Sequence, residues 1–352
     1  RQDGGRAGLT TEAAARGRWQ VVWPYAGALA IALALLAALV AMLGGDAAQA
    51  LAGLVRSSLG SGAGLGQTFN KTTPLLLGSL AVILGLRGGV FNIGVDGQIY
   101  AGAVAATGAA FLLSTGPKGA VLPVVLLAGL AGGAVWGSLP GVLRARLGVS
   151  EIFVTVMLNF VAVFLVEYLS TGPWNDPTAG EAITRAIPPQ ATLPYLWPRA
   201  GAHAGILLAL AAAAGVWWLL FRTVFGYELR AAGDNPSAAL LGGVPVRRAV
   251  GLALVASGAL AGLAGAVEVS GFHYRLILGL SPGYGMMAIL IAVLSRRHPV
   301  LAVPAAMGFA ALLVGTDSLQ RSVGLPASAV FVVQAVVLLV LLATEGVRRG
   351  AP

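Results

Sequence analysis

From Gly119 to Val142 the chain runs without one charged side chain. At about 1.5 Å per helical residue, such a run is long enough to cross the roughly 30 Å hydrocarbon layer of a bilayer. Comparable windows recur along the whole chain. Backbone amides and carbonyls find no water inside a bilayer, so a spanning segment must be a helix or part of a closed barrel. Barrel strands would read as short alternating runs, whereas these windows are continuous. The sequence therefore predicts an all-α fold, a polytopic transmembrane helical bundle. Composition agrees: of 352 residues, 57% are hydrophobic and 10% charged, against about 25% charged in soluble domains.

Windows at 21–43, 74–86, 98–115, 119–142, 151–170, 202–221, 249–270, 284–295, 299–315 and 326–345 give about ten spans. Residues 1–20 form a polar, basic segment before them. The first window is too long for a signal-peptide core and is read as a retained span, so the membrane domain covers 21–345 and leaves a tail at 346–352. The second and eighth windows would be helices of only about 18–20 Å. Short, glycine-flanked spans point to broken helices. Divided five and five, the second half would lie upside down relative to the first; this inverted repeat rests on span counting alone.

A formal net charge of +9 raises nucleic acid as a partner. The arginines, however, are scattered between apolar segments rather than gathered into a stripe, so the lipid bilayer is the expected partner and nucleic acid is not. With the N-terminus inside, Arg144, Arg146, the basic residues from Arg222 to Arg248, Arg296, Arg297, Arg348 and Arg349 share one side. Arg56, Lys71, Lys118, Arg185, Arg199, Arg275 and Arg321 share the other. The positive-inside rule then puts both termini and the 222–248 loop in the cytoplasm, and the proline-rich 171–201 loop outside. The chain has no cysteine, and His203, His273 and His298 lack metal-ligand spacing, so no metal site is expected.

Two polar stretches interrupt this pattern. In "LRGGVFNIGVDGQIYAG", residues 86–102, Gly88, Gly89, Gly94 and Gly97 relax the backbone and Asp96 stands where an N-cap would open a helix from Gln98. One reading is a tight cytoplasmic turn with Arg87 reaching to lipid headgroups. The other is a break at membrane depth, tolerable where it lines a cavity or is buried in protein, with helix N-termini offering N–H donors to a polar solute. In "FGYELRAAGDNPSAALLGGVPVRRA", residues 225–249, Asn235 or Asp234 can cap a short helix beginning at Pro236 or Ser237. That helix would present Arg230, Asp234 and Asn235 to a partner; the alternative is an ordinary solvated connection.

Within the spans, Asn159 offers either an interhelical hydrogen bond or an amide for a base or ribose edge. Glu268 should face the interior or a partner, accepting from the vicinal hydroxyls of a ribose or pairing with Arg275. Glu151 suits the N-terminal dipole of its helix, Glu167 and Tyr168 an outer interface, and Gln334 a structural role. No nucleophile arrangement or paired carboxylate supports an intramembrane enzyme.

Taken in order, "LRGGVFNIGVDGQIYAGA", "SEIFVTVMLNFVA", "GYELRAAGDNPSAALLGGVPV" and "SGFHYRLILGLSPGYGMMAILIAVL" resemble the permease subunits of bacterial ABC importers in the branched-chain amino acid and simple-sugar group. Within that group the chain is most similar to nucleoside-uptake permeases, over roughly Thr73 to Pro299. The resemblance implies a non-enzymatic subunit of the bacterial plasma (inner) membrane, and no G-x-x-x-x-G-K-[ST] phosphate loop occurs in the chain. It implies ATP and Mg in a separate ATPase subunit, a second permease, identical or related, and an extracytoplasmic substrate-binding protein. Gly226, Arg230, Gly233, Asp234, Asn235, Pro236 and Ala239 would form the coupling segment that docks on the ATPase. Asn92, Gly94, Asp96, Gly97 and Gln98 would line the path, joined on residue chemistry by Asn159 and Glu268. Simple sugars or branched-chain amino acids are the alternative cargo. An ion-coupled secondary transporter, using Glu268 or Asp96, is the alternative mechanism.

Overall fold

A computed structural model describes residues 46–323, together with Ala34, Ala37, Ala38 and Val40–Met42. Apart from those few positions, the span expected at 21–43 lies outside the described residues, as do the span at 326–345, Gln334 and both termini. The chain divides into two compact units. The first comprises residues 1–60 and 312–352. Its described part includes α1 (Ala47–Ser58), opened by Asp46, whose carboxylate accepts from the amides of Ala48 and Gln49 at 2.8 and 3.1 Å.

The second unit, residues 61–311, is built from helices. In chain order they are α2 (Gly62–Arg87), α3 (Val95–Leu112), α4 (Lys118–Leu147), α5 (Glu151–Thr171), α6 (Gly205–Arg222), α7 (Val224–Asp234), α8 (Pro236–Leu241), α9 (Val246–Val267) and α10 (Tyr284–Leu294). A π-helical turn, Glu268–His273, extends α9. The helix α11 (Pro299–Val323) begins in this unit. Between α5 and α6 a two-stranded antiparallel ribbon pairs β1 (Tyr195–Trp197) with β2 (Ala202–His203).

Each of the eight expected windows that falls on described residues coincides with a helix. Six helices among the described residues are long and apolar enough to cross a membrane, starting at Gly62, Gly119, Glu151, Gly205, Val246 and Pro299. The apolar helix α10 is short, as expected for the eighth window. The second window is corrected: α2 has 26 residues and runs straight through Pro74. Its first turns, "GAGLGQTFNKTT", look too polar for a span, yet Thr68, Asn70, Thr72 and Thr73 are all buried. The Thr72 and Thr73 hydroxyls bond back to the carbonyls of Thr68 and Phe69 at 2.7 and 3.0 Å, the usual way a membrane helix hides such groups around a proline. Lys71, expected in an outer loop, is therefore inside a helix.

The core forms where α9 meets α4, α3 and α2. Gly258 and Gly262 of α9 lie against Gly133 of α4, where a Cβ on Gly258 would come within 3.1 Å of the Gly137 Cα and closer still to the Gly133 carbonyl. Small residues at such crossings let backbones approach and gain dispersion contacts, which replace the hydrophobic drive that lipid removes. In contrast, α5 turns Phe153, Met157, Phe160, Val161, Phe164 and Tyr168 outwards, all exposed. A row of exposed large apolar side chains suits hydrocarbon rather than water.

Candidate functional site

The segment from Gly88 to Gly94 is the break. Its first part lies level with the helix ends: Arg87 Nε donates to the Arg297 carbonyl at 3.0 Å, and the Phe91 amide stands 3.5 Å from Glu151 Oε1 at the start of α5. Glu151 also pairs with Arg144 at 3.0 Å. The chain then climbs. Gly97 N donates to Asn159 Oδ1 at 2.8 Å, and Asn159 Nδ2 donates to the Ile93 carbonyl at 3.1 Å. Asn159 stands eight residues into α5, about 12 Å along its axis. The break thus passes from the end of the bundle to a level about two helical turns along α5, with Asn92 and Gly94 buried in protein.

At that depth its polar groups are matched within the fold. Asn92 and Gln98 are each 1% exposed. Asn92 Nδ2 donates to Gln98 Oε1 at 2.9 Å and to Ser257 Oγ at 2.8 Å, while its Oδ1 accepts from Gly94 N at 2.9 Å. Ser257 Oγ in turn donates a hydrogen bond to the Ala81 carbonyl of α2 at 2.7 Å. One network therefore pins the break to α2, α3 and α9, and Asn159 pins it to α5. The two glycines permit this approach: a Cβ on Gly94 would lie 2.8 Å from Thr155 Cβ, and one on Gly97 would lie 2.7 Å from Asn159 Oδ1.

Asp96 corrects a sequence expectation. The N-cap of α3 is Gly94, with no side-chain cap. Asp96 instead reaches across to α10, where its Oδ1 accepts from Ser281 Oγ at 2.6 Å and from Gly285 N at 2.8 Å. It caps the other interrupted helix, and so the two breaks meet at one carboxylate. Ser257 and Ser281 were missed at the sequence level. Ser281, in "SPGYG" ahead of an apolar run, carries a helix-start signal, whereas a lone serine in "VASGAL" carries none.

The second stretch forms α7 and α8. Asn235 caps α8 as expected, its Oδ1 accepting from Ala238 N at 3.0 Å, with Pro236 at the first helical position. The seven residues of the coupling set divide. Asp234, Asn235 and Pro236 are exposed, together with Leu240 and Leu241. Gly226 and Ala239 are buried, and Arg230 lies 5.0 Å over the Phe221 ring. Gly233 faces the break: its Cα is 3.0 Å from where a Cβ on Gly89 would be, and Gly89 has φ +74°. Gly88 sits against Leu229 in the same way.

Glu268 lies apart from this group. It stands on the π-helical turn, eleven residues beyond Ser257 or about 16 Å along α9. It does not pair with Arg275, whose partner is Asp176 at 3.7 Å. Its Oε2 is 3.3 Å from His273 Nε2, although not in hydrogen-bonding geometry. Around this end the 171–201 loop is tied down: Thr184 N, Ile187 N and Leu193 N donate to the carbonyls of Leu276, Tyr274 and Ser270 at 3.2, 2.8 and 2.8 Å. Burial, and then the Tyr195 hydroxyl 3.0 Å away, push Tyr274 up to about 12. The Thr178 hydroxyl and amide hold Asp176 below the usual carboxylate range.

The family model described as the permease component of the branched-chain amino acid transport system matches residues 64–342. The chain belongs to this family. It is similar to the glucose ABC transporter permease protein of Haloferax volcanii, 36% identical over 299 residues that cover 81% of this chain and 78% of the relative. It is similar to the guanosine ABC transporter permease protein of Bacillus subtilis, 35% identical, covering 81% and 82% of the two chains. It is also similar to the nucleoside ABC transporter permease protein of Lactococcus lactis, 30% identical, covering 80% of each. The chain is thus a multi-pass membrane permease component, the class of protein that the resemblance of its four ordered motifs implied.

Proposed function

We propose that the chain is the membrane subunit of an ATP-driven importer that carries nucleosides inward across a bacterial plasma membrane. Its ten spans, related five to five as an inverted repeat, pair with a second permease subunit. An extracytoplasmic binding protein delivers solute to the face that carries the 171–201 loop. ATP and Mg are held by a separate ATPase subunit, which docks from the cytoplasm on the exposed Asp234, Asn235, Pro236 and Leu240 of the 222–248 loop. The observation that carries this reading is the joint between α7 and the break: Gly233 and Leu229 rest directly on Gly89 and Gly88. A force on α7 therefore passes into the Asn92–Gln98 network without an intervening layer. In this reading Asn92, Gly94, Asp96, Gly97, Gln98 and Asn159 form a hinge wall of the solute path, which closes on itself through their mutual hydrogen bonds when no solute passes. The nucleoside assignment rests on the guanosine and nucleoside permeases among the relatives; the glucose permease supports a sugar reading.

Uptake by proteoliposomes that hold the permease, its ATPase and its binding protein tests this directly, with guanosine, uridine, glucose and leucine as labelled solutes. ATP-dependent entry of the nucleosides is expected. Entry of glucose alone would establish the sugar reading, and full uptake without the ATPase would establish an ion-coupled carrier.

Orientation is tested separately, because the native chain has no cysteine. A cysteine at position 235 should resist an impermeant maleimide in intact cells and react in inside-out vesicles, while one at position 178 should do the reverse. Labelling of position 235 in intact cells would invert the proposed topology.

A further inference from the structure

The outer half of the second unit holds a cation that the break does not use. Lys71 lies within α2, and its Nζ donates to the Tyr284 hydroxyl at 3.0 Å. It sits 4.8 Å over the Phe272 ring and 5.6 Å over the Tyr284 ring. Among the described residues no carboxylate stands within ion-pair distance of it, so a three-donor ammonium is held by one phenol and two aromatic faces. Charged side chains at membrane depth are expensive and mark solute pathways.

Phe272 and His273 belong to the π-helical turn and meet edge to face, with ring centroids 4.9 Å apart. Both are half-buried. Single π-helical turns recur at functional sites because the widened turn re-aims side chains. The turn ends on Tyr274 at φ +56°, a conformation that a non-glycine residue holds only when its surroundings impose it. Behind the rings, Glu268, Ser270 and His203 are at most 1% exposed. Glu268 Oε2, Ser270 Oγ and His203 Nε2 have no hydrogen-bond partner among the described residues. Buried polar atoms are nearly always hydrogen-bonded, and here three that are not lie on this turn or, for His203 of β2, against it at Gly271.

We propose that Lys71, Phe272 and His273 form a solute station in the outer half of the permease, one that takes the base of a nucleoside. The inference rests on the nucleoside reading and adds to it the group that is recognised. A base presents a flat face to Phe272 and ring nitrogens or carbonyl oxygens to Lys71 Nζ. Since the base is neutral, it needs no second cation, and Lys71 engages it without breaking an ion pair. With His273 Nε2 turned towards Glu268, Nδ1 is the imidazole atom left for the solute. An amino-acid zwitterion would need an accessible carboxylate beside Lys71, which the turn does not provide.

The test uses the full transporter in proteoliposomes, with guanosine and uridine as cargo and 8-azidoguanosine as photolabel. Per inserted molecule, Phe272→Ala should lower nucleoside uptake about tenfold, as loss of one base–aromatic stack does elsewhere. Phe272→Tyr should stay near the parent rate, and Lys71→Met should fall with Phe272→Ala. Illumination should label the peptide that contains Lys71 or residues 268–275, and the label should vanish in Phe272→Ala. If Phe272→Ala inserts poorly, Phe272→Leu, which keeps bulk without a π face, takes its place with the same expectation. Parent-like uptake in the Phe272 and Lys71 variants, or a label confined to other peptides, overturns the station while leaving nucleoside transport intact. A parent transporter that carries glucose and no nucleoside overturns both.

Discussion

Replacing Gly233 with valine should cut ATP-driven uptake about tenfold or more while the permease still reaches the membrane. A Cβ at this position runs into the Arg87 carbonyl and comes within 2.8 Å of Gly89 N, so both obstacles are backbone atoms that cannot rotate away. Overpacking of this kind costs about 1–3 kcal/mol when the surroundings give way. Here they give way by lifting α7 off the break, and the cost falls on the joint between α7 and the break, which the proposed mechanism uses for coupling. Uptake per inserted molecule should fall at least about tenfold, since each 1.4 kcal/mol or so is one decade. Hydrolysis stimulated by the loaded binding protein should fall with it. Gly233→Ala should show a smaller loss in the same direction. Normal uptake by the valine variant at normal membrane levels would mean that α7 does not drive the break.

Asp96→Ala should be the most damaging single truncation in the polar network. One carboxylate oxygen accepts from both Ser281 Oγ and Gly285 N, so truncation removes an N-cap, worth about 0.5–2 kcal/mol, and strands a buried donor at about 1–3 kcal/mol. A marked drop in the melting temperature of the detergent-solubilised permease is expected. Asp96→Asn keeps an acceptor oxygen in place and should retain most of the stability. A variant with asparagine that melts normally yet fails in uptake would show that the charge itself serves the solute. Equal destabilisation by alanine and asparagine would sink the capping account.

The helices were legible because hydrocarbon leaves little choice: a charge-free run of sufficient length reads as a span whatever its neighbours do. Where polar residues enter a span, that signal fails. The first turns of α2 looked like a loop because Asn70, Lys71, Thr72 and Thr73 count against hydropathy, although the fold hides the asparagine and the threonines within the bundle. The break itself was legible from its glycines, and the cap on α8 from Asn235 and Pro236, because both are local. The role of Asp96 was not. Its partners Ser281 and Gly285 lie 185 and 189 residues further on, and local sequence offered only the nearer helix to cap. For the same reason Arg275 seemed the natural mate of Glu268, seven positions away, whereas the 171–201 loop supplies Asp176 to it instead.

The stitching of that loop has a mechanical corollary. Three backbone hydrogen bonds, a Thr184 hydroxyl that accepts from Leu276 N at 3.0 Å and a bridge between Ile183 and Ile277 make the proline-rich crown and the segment after α9 one stiff plate. The exposed turn around Asp176 and Thr178 lies on its rim, outside those bonds. A peptide tag grafted at that rim would ride on the plate without prying it loose. An antibody fragment gripping the loop between residues 183 and 193 would instead immobilise the plate, and with it Ser270 and Tyr274.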